Sequence, residues 1–220
     1  RSFVVYHTRF SNGGEGHQVR VHQLFLNDEG WLMAAPFEFD GETITDAAIA
    51  SKASIADADI AGDYQFMRHQ YGQNTKAKAF ETPVNITLNA DGTITGAEKG
   101  TWKRTAGTDY IHLTINNVVS RGVLVKQTVD YTNIPAIAIS ALSSSSGSLT
   151  IGQNSFTYQQ EVWAVKADAK AAIKYTLNKL TVPFSNGATL NAAPTLPTQG
   201  KMGAKIAWKS SDTSVLTDDG

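Results

Sequence analysis

Apolar and polar residues alternate with a period of two through the first 40 residues. FVVYHTRF, QVRVHQLFL and WLMAAPFEF change character at nearly every step, which is how a strand with one buried face reads. They predict strands over 2–10, 18–26 and 31–39, the first two joined by a glycine-rich turn around Gly13-Gly14-Glu15-Gly16. The last two form a hairpin closed by Asn27-Asp28-Glu29-Gly30. From 41 to 60 the alternation is lost and Ala, Ile, Asp and Ser dominate, predicting a linker with a short helical turn. Period two resumes in eight short segments, 62–69, 83–89, 93–96, 100–104, 110–116, 123–129, 136–142 and 157–164. Asn89-Ala90-Asp91-Gly92, Thr105-Ala106-Gly107-Thr108 and the serine run 143–148 read as turns between them. Strands of this length and spacing predict a closed barrel or a sandwich. Tyr64, Phe66, Val84, Ile86, Leu88, Trp102, Ile111, Leu113, Ile115 and Trp163 are its expected core. One helix follows, with Ala169, Ile173, Leu177 and Leu180 as its apolar stripe and Pro183 near its end, then a strand over 204–209.

Composition agrees with an all-β chain, being rich in Thr, Ser, Asn and Gly, with 20 aromatic residues (4 Trp, 7 Tyr, 9 Phe). Lys plus Arg is 19 and Asp plus Glu is 20, a net charge of −1, which excludes the basic footprint of a nucleic-acid binder and suits a neutral ligand. With no Cys there is no disulfide framework and no thiolate chemistry. No apolar run approaches the roughly 20 residues that span a bilayer. Arg1 opens inside a strand and Gly220 follows a strand and turn, so the chain reads as a fragment.

Candidate chemistry is sparse. His7 alternates with Phe3 and Val5, which on pattern alone makes it a core histidine; His17 stands at the mouth of a turn, and His22 shares a face with Arg20 and Leu24. His69 and His112 read as structural. No G-x-S-x-G elbow or phosphate-cradling loop occurs. Asp28, Glu29, Asp40, Glu42 and Asp91 fall in turns, where carboxylates are usually solvated caps rather than a catalytic pair. Trp31, Trp102, Trp163 and Trp208 are either sugar-stacking platforms or, more commonly, packing residues.

The segment VVYHTRFSNGGEGHQVRVHQLFLNDEGWLMAAPFEF resembles the closing blade of the five-bladed β-propeller of family 43 glycoside hydrolases, in particular the extracellular endo-α-1,5-L-arabinanases. GDYQFMRHQ, TLNADGTITGAEKGTWKR, YIHLTI and QEVWAVK resemble the β-barrel domain attached behind that propeller. AAIKYTLNKL through KIAWKSSDTSVLTDDG resembles the start of a bacterial immunoglobulin-like domain. The implied organisation is a blade over 1–40, a linker over 41–60, an accessory barrel of about eight strands over 61–166, and a helix with a partial immunoglobulin-like segment over 167–220. The resemblance implies a secreted or cell-surface enzyme that cleaves internal α-1,5-arabinofuranosyl linkages of arabinan or pectin side chains with inversion. Its carboxylates lie outside this chain, so the fragment is expected to be inactive; it is also expected to be a monomer. His7 would then face the propeller channel and help hold a calcium ion, with His17 the second candidate. The rival reading is a non-catalytic carbohydrate-binding or structural barrel.

Overall fold

The computed structural model describes residues 2–9, 16–41, 53–69, 82–151 and 154–214. The N-terminal alternation builds a three-stranded antiparallel sheet of β1 (Ser2–Arg9), β2 (His17–Leu26) and β3 (Leu32–Ala34), in that order. The β2–β3 turn is made by Asn27, whose Oδ1 accepts from the amides of Glu29 (3.0 Å) and Trp31 (2.9 Å) while Gly30 takes φ +83°. β3 is shorter than its pattern predicts, because Pro36 has no N–H to give and the chain bends there. Pairing nevertheless continues through Ala35 N–H to Gln23 O and Phe39 N–H to Val21 O.

The predicted barrel is present and closed. Its strands are β4 (Gly62–Arg68), β5 (Val84–Leu88), β6 (Thr93–Gly96), β7 (Gly100–Arg104), β8 (Tyr110–Ile115), β9 (Val118–Thr128), β10 (Pro135–Ile151) and β11 (Asn154–Ala167). They close in the order β10-β11-β4-β5-β6-β7-β8-β9. Closure needs positions where two backbones come unusually near. A Cβ on Gly100 would lie 1.9 Å from Thr114 O, and one on Gly122 would lie 2.2 Å from Ser140 O.

Three expectations change. The serine run is not a turn: its backbone continues β10, whose 17 residues make a long hairpin arm. β9 begins five residues before the alternation suggests, because Asn116 (φ 52°) and Asn117 (φ 64°) form a tight left-handed turn that starts it at Val118. Val84 is exposed and Trp163, between the inward-facing Val162 and Ala164, points out of the barrel against His69 (centroids 4.2 Å). The remaining predicted core residues do pack together, with Trp102 partly buried against them.

The sheet docks on the outside of the barrel. Phe25, Met33 and Ala35 pack on Val123 and Val125, with Tyr110 and Leu142 alongside. Gln127 reads the chain after β3 in both directions, accepting from Phe37 N–H (3.1 Å) and donating to Phe37 O (2.8 Å). Asn27 Nδ2 donates to Arg121 O at 3.3 Å.

Contact density separates a second unit, residues 131–134 and 167–220, from the first, residues 1–130 and 135–166. Helix α1 (Asp57–Ile60) belongs to the first unit; in the second, α2 (Ala169–Lys179) is capped by Asp168, whose Oδ1 accepts from Ala171 N–H at 2.6 Å. Its predicted stripe is wrong in facing: Ile173 and Leu177 are 51% and 65% exposed, and Ala172 and Thr176 are buried. The reason is local, since Gly200 and Lys201 lie on Thr176, whose Oγ1 accepts from Lys201 N–H at 3.1 Å. The strand over 204–209 is reduced to a single bridge, Gln199 with Lys205.

Candidate functional site

Strand register brings the two sequence candidates for an ion ligand together. His7 pairs with Val19 and Arg9 with His17, so both histidines project from one face on a diagonal. Their rings meet at 5.0 Å, inclined by 59°, and both residues are exposed, so His7 is not a core histidine. On the opposite face His22 is buried and its tautomer follows from its partners. Its Nδ1 lies 2.7 Å from Ala35 O, which can only accept, so Nδ1 carries the proton and Nε2 accepts from the Tyr6 hydroxyl at 3.2 Å. His22 is thereby a structural residue.

The donor set at His7 and His17 does not by itself fit calcium. That ion takes six to eight oxygens, and the described residues contain no cluster of three or more histidine or acidic side chains.

The barrel interior is filled. Tyr64, Phe66, Ile86, Leu88, Ile94, Ile111, Leu113 and Leu124 occupy it as one packed cluster. One end is plugged by residues 53–61, including α1 (Asp57–Ile60), through buried Ile55 and Ile60. A charged pair fixes the plug. Asp109, 2% exposed, accepts from Ser54 N–H (2.9 Å), Ser54 Oγ–H (2.5 Å) and Arg104 Nη2 (2.7 Å). Arg104 Nη1 also donates to Ile55 O (2.7 Å) and Asp57 Oδ1 (2.6 Å). A buried ion pair whose lone pairs and protons are this fully used costs little to keep and much to break. Tyr64 Oη–H donates to Ile60 O at 2.7 Å, and burial pushes its phenol well above the ordinary range. Lys166 donates to Ala61 O (2.7 Å) and to Asp59 O; burial lowers its pKa, against the raising effect of Asp59. The opposite end holds a recess of about 180 Å³ between β4, β8, β9, β10 and β11.

The acidic side chains are spent on structural bonds. Asp28 meets His112 Nε2 at 2.6 Å, Glu29 meets Arg121 Nε at 2.9 Å, Glu38 pairs with Arg20, and Glu98 pairs with Arg68. Asp91 caps its own turn, and the Thr93 hydroxyl and amide hold its carboxyl below the usual carboxylate range. None of these offers the facing pair of carboxyls that glycoside hydrolysis needs. Of the tryptophans, Trp31 is exposed beside the hairpin turn, while Trp102 donates to Asn89 O (2.8 Å) and Trp208 to Pro197 O (2.7 Å) as packing residues.

Two arrangements escaped the sequence. The cluster of Asp28, Glu29, His112 and Arg121 joins residues about ninety positions apart, with Asp28 and Glu29 already visible only as turn carboxylates. The recess draws on Arg68, Asn116, Ser120, Ser143 and Gln160, none at a motif spacing.

Comparison with known proteins gives a consistent set of relatives. A family model described as a C-terminal lipocalin-like domain, of the family 43 glycoside hydrolases, matches residues 36–152. An extracellular endo-α-(1→5)-L-arabinanase of Thermotoga petrophila is 43% identical over 129 residues, which are 57% of this chain and 25% of that protein. Extracellular endo-α-(1→5)-L-arabinanase 2 of Bacillus subtilis is 39% identical over 127 residues, 58% of this chain and 24% of the relative. Among solved structures, the family 43 glycoside hydrolase YxiA of Bacillus licheniformis matches with TM-score 0.56 and 33% identity, covering 74% of this chain and 32% of that one. The T. petrophila endo-1,5-α-L-arabinanase matches with TM-score 0.54 and 38% identity, covering 76% and 33%. The matched region spans about a quarter of the length of the curated relatives.

Proposed function

The chain belongs to the C-terminal lipocalin-like domain family of family 43 glycoside hydrolases, and from that premise we propose that it is the non-catalytic C-terminal part of a secreted endo-arabinanase. The parent would cleave internal α-1,5-arabinofuranosyl linkages in arabinan with inversion, using carboxylates outside these 220 residues. The observation that carries this reading is the match of about three quarters of this chain to structures of family 43 enzymes at 33% and 38% identity. In it, residues 1–40 are the closing propeller blade and residues 167–220 open an immunoglobulin-like module.

Calcium enters this reading only at His7, with His17 as the alternative, each giving one nitrogen to an ion whose oxygen ligands come from elsewhere in the parent. The pectin-derived substrate, the monomeric state and a secreted or cell-surface location are part of the same proposal, and secretion is supported by the two relatives named as extracellular. The rival reading of the barrel as a container that encloses a glycan is disfavoured by its side-chain-filled interior, which leaves space only in the recess at one end.

The test pairs two assays on linear arabinan. The 220-residue chain is expected to release no arabino-oligosaccharides, whereas the full-length parent releases them with inverted anomeric configuration. Release by the short chain, or none by the parent, overturns the reading.

A further inference from the structure

We propose that the end of the barrel opposite the plug carries a binding site for a single neutral sugar ring; this rests on the reading of the chain as part of a carbohydrate-active enzyme. The recess has an apolar floor of Phe66, Ile115, Val118 and Val162. Its rim is polar on several sides, with Arg68 from β4, Asn116 from the β8–β9 turn, Ser120 from β9 and Gln160 from β11. The Arg68 guanidinium lies over the Phe66 ring, 4.9 Å from its centroid, so the open apolar contact is aliphatic, from Ile115, Val118 and Val162. An apolar floor under converging hydrogen-bonding groups is the chemistry that holds a sugar, whose C–H face is apolar and whose edge carries hydroxyls. At about 180 Å³ it is well below a drug-sized cavity, so one ring fits and a chain of rings does not.

Two details favour a neutral occupant with hydroxyl groups. Arg68 already has its counter-charge: Nη1 pairs with Glu98 Oε1, and Glu98 Oε2 accepts from Asn116 Nδ2 at 3.1 Å. The pair leaves no net charge beside the recess, and Glu98, which does not itself line it, holds Arg68 and Asn116 in place while their remaining N–H groups stay available to an occupant. Ser120 is 7% exposed, lines the recess and makes no side-chain hydrogen bond among the described residues. Its hydroxyl is therefore open to bonding by whatever occupies the recess. Neighbouring Ser143, by contrast, accepts from Gln160 N–H at 3.2 Å and stiffens the wall.

The experiment titrates the ¹⁵N-labelled 220-residue chain with L-arabinose, D-galactose, D-galacturonate and glycerol, observed by NMR. Expected is a saturable response to at least one of the two neutral sugars, in the millimolar range that so few ligand atoms allow, at the side-chain amides of Asn116 and Gln160 and the backbone amides of Arg68 and Ser120. Ser120→Leu, which fills the recess, should abolish it. Glu98→Gln, which keeps the volume and removes the charge, should weaken it about tenfold or more; it decides the matter if Ser120→Leu fails to fold. Saturation by galacturonate alone, an equal response to glycerol, no saturable response, or a response unchanged in the variants would overturn the proposal. Hydrolysis of arabinan by the parent without binding at this recess sinks only this inference, and binding here without hydrolysis by the parent sinks only the proposed function.

Discussion

Tyr64 is the residue at which burial, hydrogen bonding and titration meet. Its ring lies inside the barrel, its hydroxyl holds the plug through Ile60 O, and its folded-state pKa is raised from an ordinary value near 10.0 by desolvation. The sign of the linkage follows. Below pH 10 both states hold the proton and stability does not depend on it; above pH 10 the unfolded chain ionises while the folded one cannot, so stability falls as pH rises. Lys166, whose cation stands 5.9 Å from that ring, works the other way. Its pKa is lowered in the fold, so the folded chain sheds the proton first and stability rises with pH between that lowered value and 10.5. Tyr64→Phe separates the two. It should cost about 1 kcal/mol at neutral pH, since Ile60 O loses its donor. Relative to wild type it should also flatten the alkaline flank, so that the two denaturation midpoints converge above pH 10. Parallel midpoint curves through pH 11 would show that the phenol is not protected.

At the scale of elements, legibility followed the locality of the signal. The hairpin turn at Asn27 and the turn at Asn89 were readable because their residues make their own bonds within four positions. The serine run reads as a turn by composition, whereas the backbone there continues β10 as one arm of a hairpin with the neighbouring β11. α2 was recognised by period but faced wrongly, since the side it buries is chosen by Gly200, which sequence cannot place. His7 and His17 were both legible as histidines of interest, yet their contact depends on a register that the glycine-rich insertion between them obscures. The recess was invisible because its rim comes from strands whose separation in sequence reaches 92 positions, from Arg68 to Gln160. Gly122 tests how tightly such distant pairings are set. An added Cβ would meet Ser140 O at 2.2 Å and Ala141 Cβ at 2.5 Å, so β9 and β10 must part. Gly122→Ala is expected to cost on the order of 3 kcal/mol, measurable by urea denaturation, as overpacking against backbone does. A loss under about 0.5 kcal/mol, the level of an unconstrained surface site, would mean that closure tolerates a looser seam.

In the first unit as a whole, the N-terminal sheet is held at one end and bare at the other. Phe25, Met33 and Ala35 fasten its hairpin end to the barrel, and the Asp28, Glu29, His112 and Arg121 cluster adds a charged clip at the turn. Phe3, opposite Gln23 near that end, rests on the Phe39 ring at 5.0 Å, but further along Val5 and Val19 are 64% and 65% exposed on one face, and β1 stands at the sheet's edge. Apolar contacts therefore stabilise β2 near residue 25 far more than β1, and opening should begin at β1 without disturbing the barrel. Hydrogen exchange should show this gradient, with strong protection in β8, β9 and β10, less in residues 21–26, and least in β1. An exposed apolar strand whose outer edge is unpaired among the described residues also invites pairing with a second copy. Lowering its apolarity without touching the docked end should relieve that: Val5→Lys is expected to reduce concentration-dependent association in sedimentation experiments and to leave the barrel's thermal midpoint within about 1 °C, since exposed sites contribute little to stability. Equal protection from β1 to β11, together with association unchanged by Val5→Lys, would place the bare face under some other cover within the chain and remove the physical reason for a partner there.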